Sequence, residues 1–210
     1  MSLVKRFLNS RGEVTASTVA YYRRILLEYV QFNDGHEDVT EDKLNEFLAG
    51  QKCKGNGKHA KLRALKAYTN FLIEEDLMEP IRFPKVKMLK PYRPCPSQAE
   101  VIRLLESVTN TRDRALFLLV TDSGLRRSEA ANLLWADVDL TKSELVVRQP
   151  KNGEDRAVPF QTSARHALRE WQAIAPKTPT VFGLKVAGVQ QVLRRLNKRT
   201  GSHMGYDALR

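Results

Sequence analysis

Cysteine is scarce in this chain. Cys53 and Cys95 are the two, too few for a disulfide framework or a four-ligand zinc cage. Histidine adds no metal pattern, because His36, His59, His166 and His203 are scattered without H-x-x-x-H spacing. Neither a metal nor a cofactor is expected. Long hydrophobic runs are missing too. The longest covers residues 115–120, far below the ~20 residues of a bilayer span, so no membrane partner is expected. Lys5 and Arg6 precede no continuous apolar segment, so no signal peptide is expected and the compartment is read as cytoplasmic. Acidic residues are in deficit: 24 against 35 Lys and Arg, a net charge of +11. What the chain does have is ordinary globular material, 42% hydrophobic over 210 residues, enough to bury two modest cores and to exclude general disorder. A positive excess of this size suits a polyanion, of which nucleic acid is the commonest. A basic surface that serves only solubility is the other reading, and composition leaves both open.

Helical spacing dominates the first eighty residues. Val19, Tyr22, Leu26, Tyr29 and Val30 form one stripe, which Asp34-Gly35 stops. Thr40 is placed to cap a short helix that carries Leu44, Phe47 and Leu48 and ends at Gly50. A third helix, from about Gly57, carries Leu62, Leu65, Tyr68 and Leu72. A bundle of about four helices is expected. Residues 82–97 then hold four prolines and no acid, which reads as an extended connector. Beyond it, Ser97-Gln98-Ala99-Glu100 is a capping-box pattern opening a helix. An apolar helix over 113–121 follows, then one that begins near Gly124 and carries Leu133, Leu134 and Trp135. The period then changes. Val138 and Leu140, residues 145–147 and residues 157–160 read as strands, with the turn signal Asn152-Gly153 before the last. Helices return at about 162–174 and 186–199.

Charge is segregated along the chain. Residues 34–46 hold six acids and one lysine, whereas residues 50–66 hold Lys52, Lys54, Lys58, Lys61, Arg63 and Lys66 with no acid. The functional reading is a phosphate-gripping surface that gains affinity through counterion release. A solvated helix face would explain any one of these lysines singly. Lys87, Lys90 and Arg93 in the connector extend the pattern, and a further concentration lies at Arg194, Arg195, Lys198 and Arg199.

Thr121-Asp122-Ser123-Gly124-Leu125-Arg126-Arg127-Ser128-Glu129, followed by Trp135-Ala136-Asp137-Val138-Asp139, resembles the first signature box of the tyrosine recombinases, the phage integrase family. There a T-G-L-R-x-S-E turn and helix lead into W-x-D-(I/V)-D. The family's hairpin pattern K-x-x-K-x-R-x-V-P-L is similar to Lys151-Asn152-Gly153-Glu154-Asp155-Arg156-Ala157-Val158-Pro159-Phe160, in which Glu154 stands where the second lysine would be. The family's second box, H-x-L-R, is matched by Leu209-Arg210, with Asp207 in the place of the histidine. The resemblance covers essentially the whole chain. It implies a mainly α fold with a small antiparallel β-sheet. Residues 1–82 would be a helical core-binding bundle of SAM-like type and 83–97 a basic linker. Residues 98–210 would be an α+β integrase-type catalytic domain lacking its C-terminal part.

The resemblance also implies the chemistry: DNA strand cleavage and rejoining on double-stranded DNA, by a homo-oligomer that is a tetramer on DNA. A pentavalent phosphorane carries extra negative charge, which rigid, permanently charged guanidiniums fit. Arg126 and Arg210 take that role, and Lys151 would protonate the leaving oxygen. The arginines replace a metal, and the covalent intermediate makes a nucleotide cofactor unnecessary. Asp207 is a doubtful catalytic group, since a carboxylate is repelled by phosphate. Glu129 reads as a supporting or helix-packing acid. The family's nucleophilic tyrosine lies downstream of the second-box arginine, whereas Tyr21, Tyr22, Tyr29, Tyr68, Tyr92 and Tyr206 all precede Arg210. The 210-residue chain is therefore expected to form no covalent adduct with a nicked suicide duplex carrying its site. A denaturation-resistant protein–DNA band that Tyr206→Phe abolished would contradict that alignment.

Overall fold

The computed structural model describes residues 2–88, 95–148 and 154–209. As expected, the chain is mainly α-helical with one small antiparallel sheet. It divides into two compact units, Met1–Pro91 and Tyr92–Arg210.

Among the described residues the first unit holds four helices: α1 (Leu3–Asn9), α2 (Ala16–Phe32), α3 (Glu41–Ala49) and α4 (Gly55–Glu74). Three begin on a hydroxyl cap, with Ser2, Thr15 and Thr40 accepting from the backbone N–H three residues on. Each cap satisfies one of the amides that a helix start leaves without a partner. α2 ends where Asp34 and Gly35 take positive φ, 53° and 90°. The buried stripes of the four helices meet in one core. At its centre Phe7 packs against the rings of Tyr22, Tyr68 and Phe71 at 5.5–5.6 Å. Two buried phenols complete their hydrogen bonds on the α2–α3 link, Tyr29 donating to the Asp38 carbonyl at 3.2 Å and Tyr68 to that of Glu37 at 3.0 Å.

The first part of the connector lies on this unit. Ile81, Phe83 and Val86 pack against its core. The Arg82 amide donates to Glu41 Oε1 at 2.7 Å, and Lys66 sits over the Phe83 ring at 5.4 Å. The fit is closest at Gly55, where a Cβ would stand 2.5 Å from the Lys87 carbonyl oxygen. Only a residue without a side chain allows that approach.

The second unit holds α5 (Gln98–Glu106), α6 (Thr111–Ser123) and α7 (Arg127–Asn132), then β1 (Val138–Asp139), β2 (Glu144–Val147) and β3 (Arg156–Pro159), then α8 (Thr162–Ile174) and α9 (Val186–Thr200). The Ser97–Glu100 capping box is present in both directions. The strands pair in the order β1-β2-β3, with Val138 opposite Leu145 and Val147 opposite Arg156. α6 is the central element, with Ala115, Leu116, Leu119 and Val120 all buried. The Asn152-Gly153 turn signal lies outside the described residues.

The helix expected to carry Leu133, Leu134 and Trp135 instead stops at Asn132. The backbone after it pairs with residues 179–181: Trp135 N donates to Pro179 O at 3.0 Å and Val181 N to Leu133 O at 2.8 Å. Trp171 of α8 locks the same segment through Nε1 to Val181 O at 2.7 Å. Leu133 is buried either way, so its apolar character could not distinguish a helical turn from a paired extended segment. Gly55→Ala should push the connector off α4. Trypsin cleavage after Lys85 and Lys87, followed by mass spectrometry, should be several-fold faster in that variant than in the wild type. Equal rates would show that the close approach at Gly55 does not hold the connector down.

Candidate functional site

The site grows from the turn after α6. Gly124 takes φ 63° and ends the helix, Leu125 is buried, and the chain re-enters a helix at Arg126. Glu129, three residues on, accepts from the Arg126 backbone N–H at 2.8 Å through Oε2. Its other oxygen accepts from Arg126 Nη1 at 2.8 Å. From β3, Arg156 donates to the same carboxylate through Nη2 at 2.7 Å and Nη1 at 3.2 Å. The Glu129 side chain is 7% exposed, whereas those of Arg126 and Arg156 are 37% and 36% exposed. One buried carboxylate thus holds two guanidiniums side by side, each with an open edge. Burial pushes the Glu129 pKa up, but the hydrogen bonds from Arg156 and Arg126 outweigh it and hold the carboxyl down at about 2. Glu129 therefore stays ionised at neutral pH.

Glu129, read from the sequence as a supporting or helix-packing acid, accepts hydrogen bonds from both arginines. Arg156 was not singled out from the sequence. Its signal was the R-x-V-P stretch of the hairpin pattern, and pairing of β2 with β3 brings it to Glu129, twenty-seven residues away along the chain.

Lys151 and Arg210 lie outside the described residues, as do Lys90 and Arg93. Asp207 is exposed on a 3₁₀ turn, Tyr206–Ala208. It lines a cavity of about 760 Å³ with Cys95, Glu100, Arg103, Arg127 and His203. Arg127 faces that cavity and donates to Gln190 of α9, whereas Arg126 is absent from its lining.

The basic clusters divide. Lys52 and Lys54 are exposed where α3 passes to α4, and Lys54 immediately precedes α4. Lys58 Nζ donates to the Ala49 carbonyl at 3.3 Å, at the end of α3. Arg63 is exposed and lines a shallow cleft with Ser17, Thr18, Tyr21 and Tyr22. Lys66 and Lys87 are exposed as well. Lys61 differs. Its side chain is 15% exposed, its ammonium donates to Glu28 and Gln51, and it sits 5.6 Å from the Phe47 ring centroid. The later concentration is also partly internal, with Arg195 Nη2 donating to the buried Asp113 at 2.7 Å and Arg199 Nη1 to the Ser107 carbonyl at 2.9 Å.

Burial pushes the phenol of Tyr29 up to about 12 and raises those of Tyr68 and Tyr21, so these hydroxyls are poor sources of phenolate. Among the described residues no group of three His, Cys, Asp or Glu side chains could hold a metal ion, and no helix is long and apolar enough to cross a membrane.

The phage integrase family matches residues 97–209. The chain is 33% identical over 190 residues to tyrosine recombinase XerC of Xanthomonas campestris pv. campestris, covering 82% of this chain and 59% of that protein. It is 34% identical over 169 residues to tyrosine recombinase XerA of Thermococcus kodakarensis, covering 78% and 57%. Tyrosine recombinase XerA of Saccharolobus solfataricus is 27% identical over 199 residues, covering 88% and 67%. The chain thus spans between about half and two thirds of the length of the relatives it matches. Among solved structures, a λ integrase tetramer bound to a Holliday junction superposes with a TM-score of 0.83 at 18% identity, over 99% of this chain and 66% of that one. A λ integrase dimer bound to a COC′ core site gives 0.79 at 18% identity, over 99% and 85%. At that identity the likeness is one of fold.

The Glu129 clamp generates a pH signature. A carboxyl whose pKa falls from an ordinary 4.5 to about 2 on folding stabilises the fold above the higher value and loses that contribution as pH drops through the lower one. Glu129→Gln should therefore lower stability by on the order of 3 kcal/mol at pH 7. In urea unfolding the gap to the wild type should shrink below about pH 4.5 and close near pH 2. A gap constant across that range would show that ionised Glu129 is not what holds the two arginines.

Proposed function

The chain belongs to the phage integrase family, and from that premise we propose that it serves site-specific DNA recombination by binding duplex DNA and cradling the phosphate to be cut. The single observation that carries this reading is the pair of arginines clamped by Glu129 within the segment the family matches. When a tyrosine oxygen attacks phosphorus, negative charge builds on the non-bridging oxygens. Donors already held in place stabilise that charge without reorganising. Arg126 offers an exposed guanidinium edge fixed by Glu129, and Arg210 is proposed as its partner from the second box. Arg156 donates to both oxygens of the same carboxylate and fixes the clamp. Lys151, between β2 and β3, is proposed to give a proton to the 5′ oxygen as the P–O5′ bond breaks and the 3′-phosphotyrosine forms.

The attacking tyrosine is proposed to lie in the complete protein beyond Arg210, so that the 210-residue chain binds DNA without cutting it. Lys52, Lys54, Lys58, Arg63, Lys66, Lys87, Lys90 and Arg93 are proposed to meet the phosphate backbone. Lys61 supports this surface from behind through Glu28. The complete protein is proposed to act as a homo-oligomer on DNA, as the λ integrase tetramer on a Holliday junction does, in the cytoplasm and on the nucleoid. The basic first unit and connector are proposed as the core-binding domain and its linker. Asp207, standing where the family carries histidine, favours a second reading: a relative that occupies or regulates a recombination site without cutting. Sequencing the gene past codon 210 separates the two, since an in-frame H-T followed by a later tyrosine fits only the enzyme.

Binding should weaken linearly with the logarithm of salt concentration. Lys52→Ala, Lys54→Ala and Lys58→Ala combined should flatten that slope by about one for each phosphate no longer neutralised, up to about three. Lys61→Ala should leave the slope unchanged while lowering the melting temperature, because its ammonium faces Glu28. Fluorescence anisotropy across a salt series reads both. A slope unmoved by the triple variant would remove this surface from the DNA interface.

A further inference from the structure

We propose that the cavity beside Arg127 seats a second phosphodiester of the strand whose cut phosphate Arg126 holds. Arg103 and Arg127 grip it, and Asp207 is the counter-charge that limits the grip. This seat belongs to the proposed recombination site and depends on that reading.

Three separate elements of the second unit supply the cationic side of the cavity. Arg103 comes from the last turn of α5, Arg127 opens α7, and His203 stands on the loop after α9. All three are exposed. The loop is held by Asn197, whose side chain donates to the Met204 carbonyl at 2.8 Å and accepts from the Met204 amide at 3.3 Å. The Asn197 carbonyl accepts from the Ser202 amide at 3.1 Å. His203 thus lies between two residues whose backbone is fixed. Arg127 is steered by the side-chain oxygen of Gln190, to which it donates. A neutral amide orients a guanidinium and leaves its charge in place.

Elsewhere in this unit arginines are answered by acids. Arg195 donates to Asp113 at 2.7 Å and Arg148 to Asp137 at 2.6 Å. Neither Arg103 nor Arg127 makes an ion pair among the described residues. Two acids do line their cavity, Glu100 and Asp207. Glu100 is engaged at the start of α5. The Ser97 amide and hydroxyl donate to one of its oxygens at 2.8 and 2.9 Å and hold its carboxyl below the usual range. That leaves Asp207 to offset two guanidiniums, and the balance is one positive charge. A phosphodiester, singly negative, matches it.

Adjacency in the chain ties this seat to the clamp. The Cα atoms of Arg126 and Arg127 are about 3.8 Å apart. Arg126 turns to Glu129 and Arg127 to Gln190, so one helix start sends guanidiniums to two places. Phosphates of one strand follow each other every ~3.4 Å along the duplex axis, close enough for neighbouring arginines to hold successive ones. Backbone contacts set register. A grip on the second phosphate would therefore fix which phosphate enters the Arg126 clamp. Asp207 then weakens binding and transfers no proton.

The test uses the 210-residue chain, a synthetic DNA duplex and the arginine reagent phenylglyoxal, read by peptide mass spectrometry. The duplex should slow modification of Arg103 and Arg127 several-fold and leave Arg169, exposed on α8, unprotected. Millimolar dTMP should protect neither. Equal protection by dTMP would make the cavity a free-nucleotide site and overturn the proposal. In anisotropy across a salt series, Arg103→Gln with Arg127→Gln should flatten the slope by about two. Arg169→Gln with Lys177→Gln removes the same charge from exposed positions elsewhere and should leave the slope unchanged. Asp207→Asn should tighten binding several-fold at low salt. If the Arg103 and Arg127 double variant loses the wild-type circular dichroism spectrum, protection in the wild-type chain decides alone. Arg103 and Arg127 left unprotected in a chain that binds the duplex would overturn the proposal and spare the recombination reading. So would control variants that flatten the slope as much, or an Asp207→Asn that binds no better. A wild-type chain that binds no duplex would overturn the recombination reading, and this seat with it.

Discussion

Two guanidiniums held close together repel each other, and here Glu129 offsets that repulsion by accepting hydrogen bonds from both. Its carboxylate is buried while both arginines keep an open edge. The rest of the second unit serves this arrangement. Gly124 turns the chain sharply enough for Arg126 to become the N-cap of α7, and the Arg126 amide fixes one Glu129 oxygen. The small sheet carries Arg156 up to the other side. Removing Glu129 would leave two neighbouring guanidiniums without their shared carboxylate, whereas removing one arginine leaves the buried carboxylate paired with the other.

The same principle sorts the other cations. Lys61 is largely buried, and Arg195 and Arg199, though exposed, each donate to a distant partner in their own unit. Lys52, Lys54, Arg63, Lys66 and Lys87 keep their charge at the surface. A net charge of +11 therefore overstates what a polyanion would meet. These three cations sit with an acid or carbonyl far along the chain, at separations of 33, 82 and 92 residues, which no local charge pattern displays.

The first unit is also bound together through groups that look functional in isolation. Tyr29 and Tyr68 are buried hydrogen-bond donors with raised phenol pKa values, so their hydroxyls hold the α2–α3 link in place. Phe83 and Val86 of the proline-rich connector belong to the same core, and Gly55 gives the connector room to lie close. The apolar pattern and the prolines compete in that segment, and packing decides where the chain stops behaving as part of the unit.

Most helices and strands were legible because their causes are local. Hydroxyl caps at Thr40 and Ser97, the 3.6-residue stripes of α2, α4, α8 and α9, and alternation around Leu145 and Val158 all lie within a few residues of what they determine. Arg126 was legible only through the resemblance of residues 121–129 to a family signature, and Glu129 only as a supporting or helix-packing acid in the same stretch. What tertiary structure decided lies at long range. It ended α7 before Leu133 by offering residues 179–181 as backbone partners. It brought Arg156 to Glu129 through strand pairing, and it turned Lys61 inward. In each case the choice depends on a partner whose identity is in the chain but whose nearness is not, because only the folded backbone sets which distant groups share one low-dielectric site.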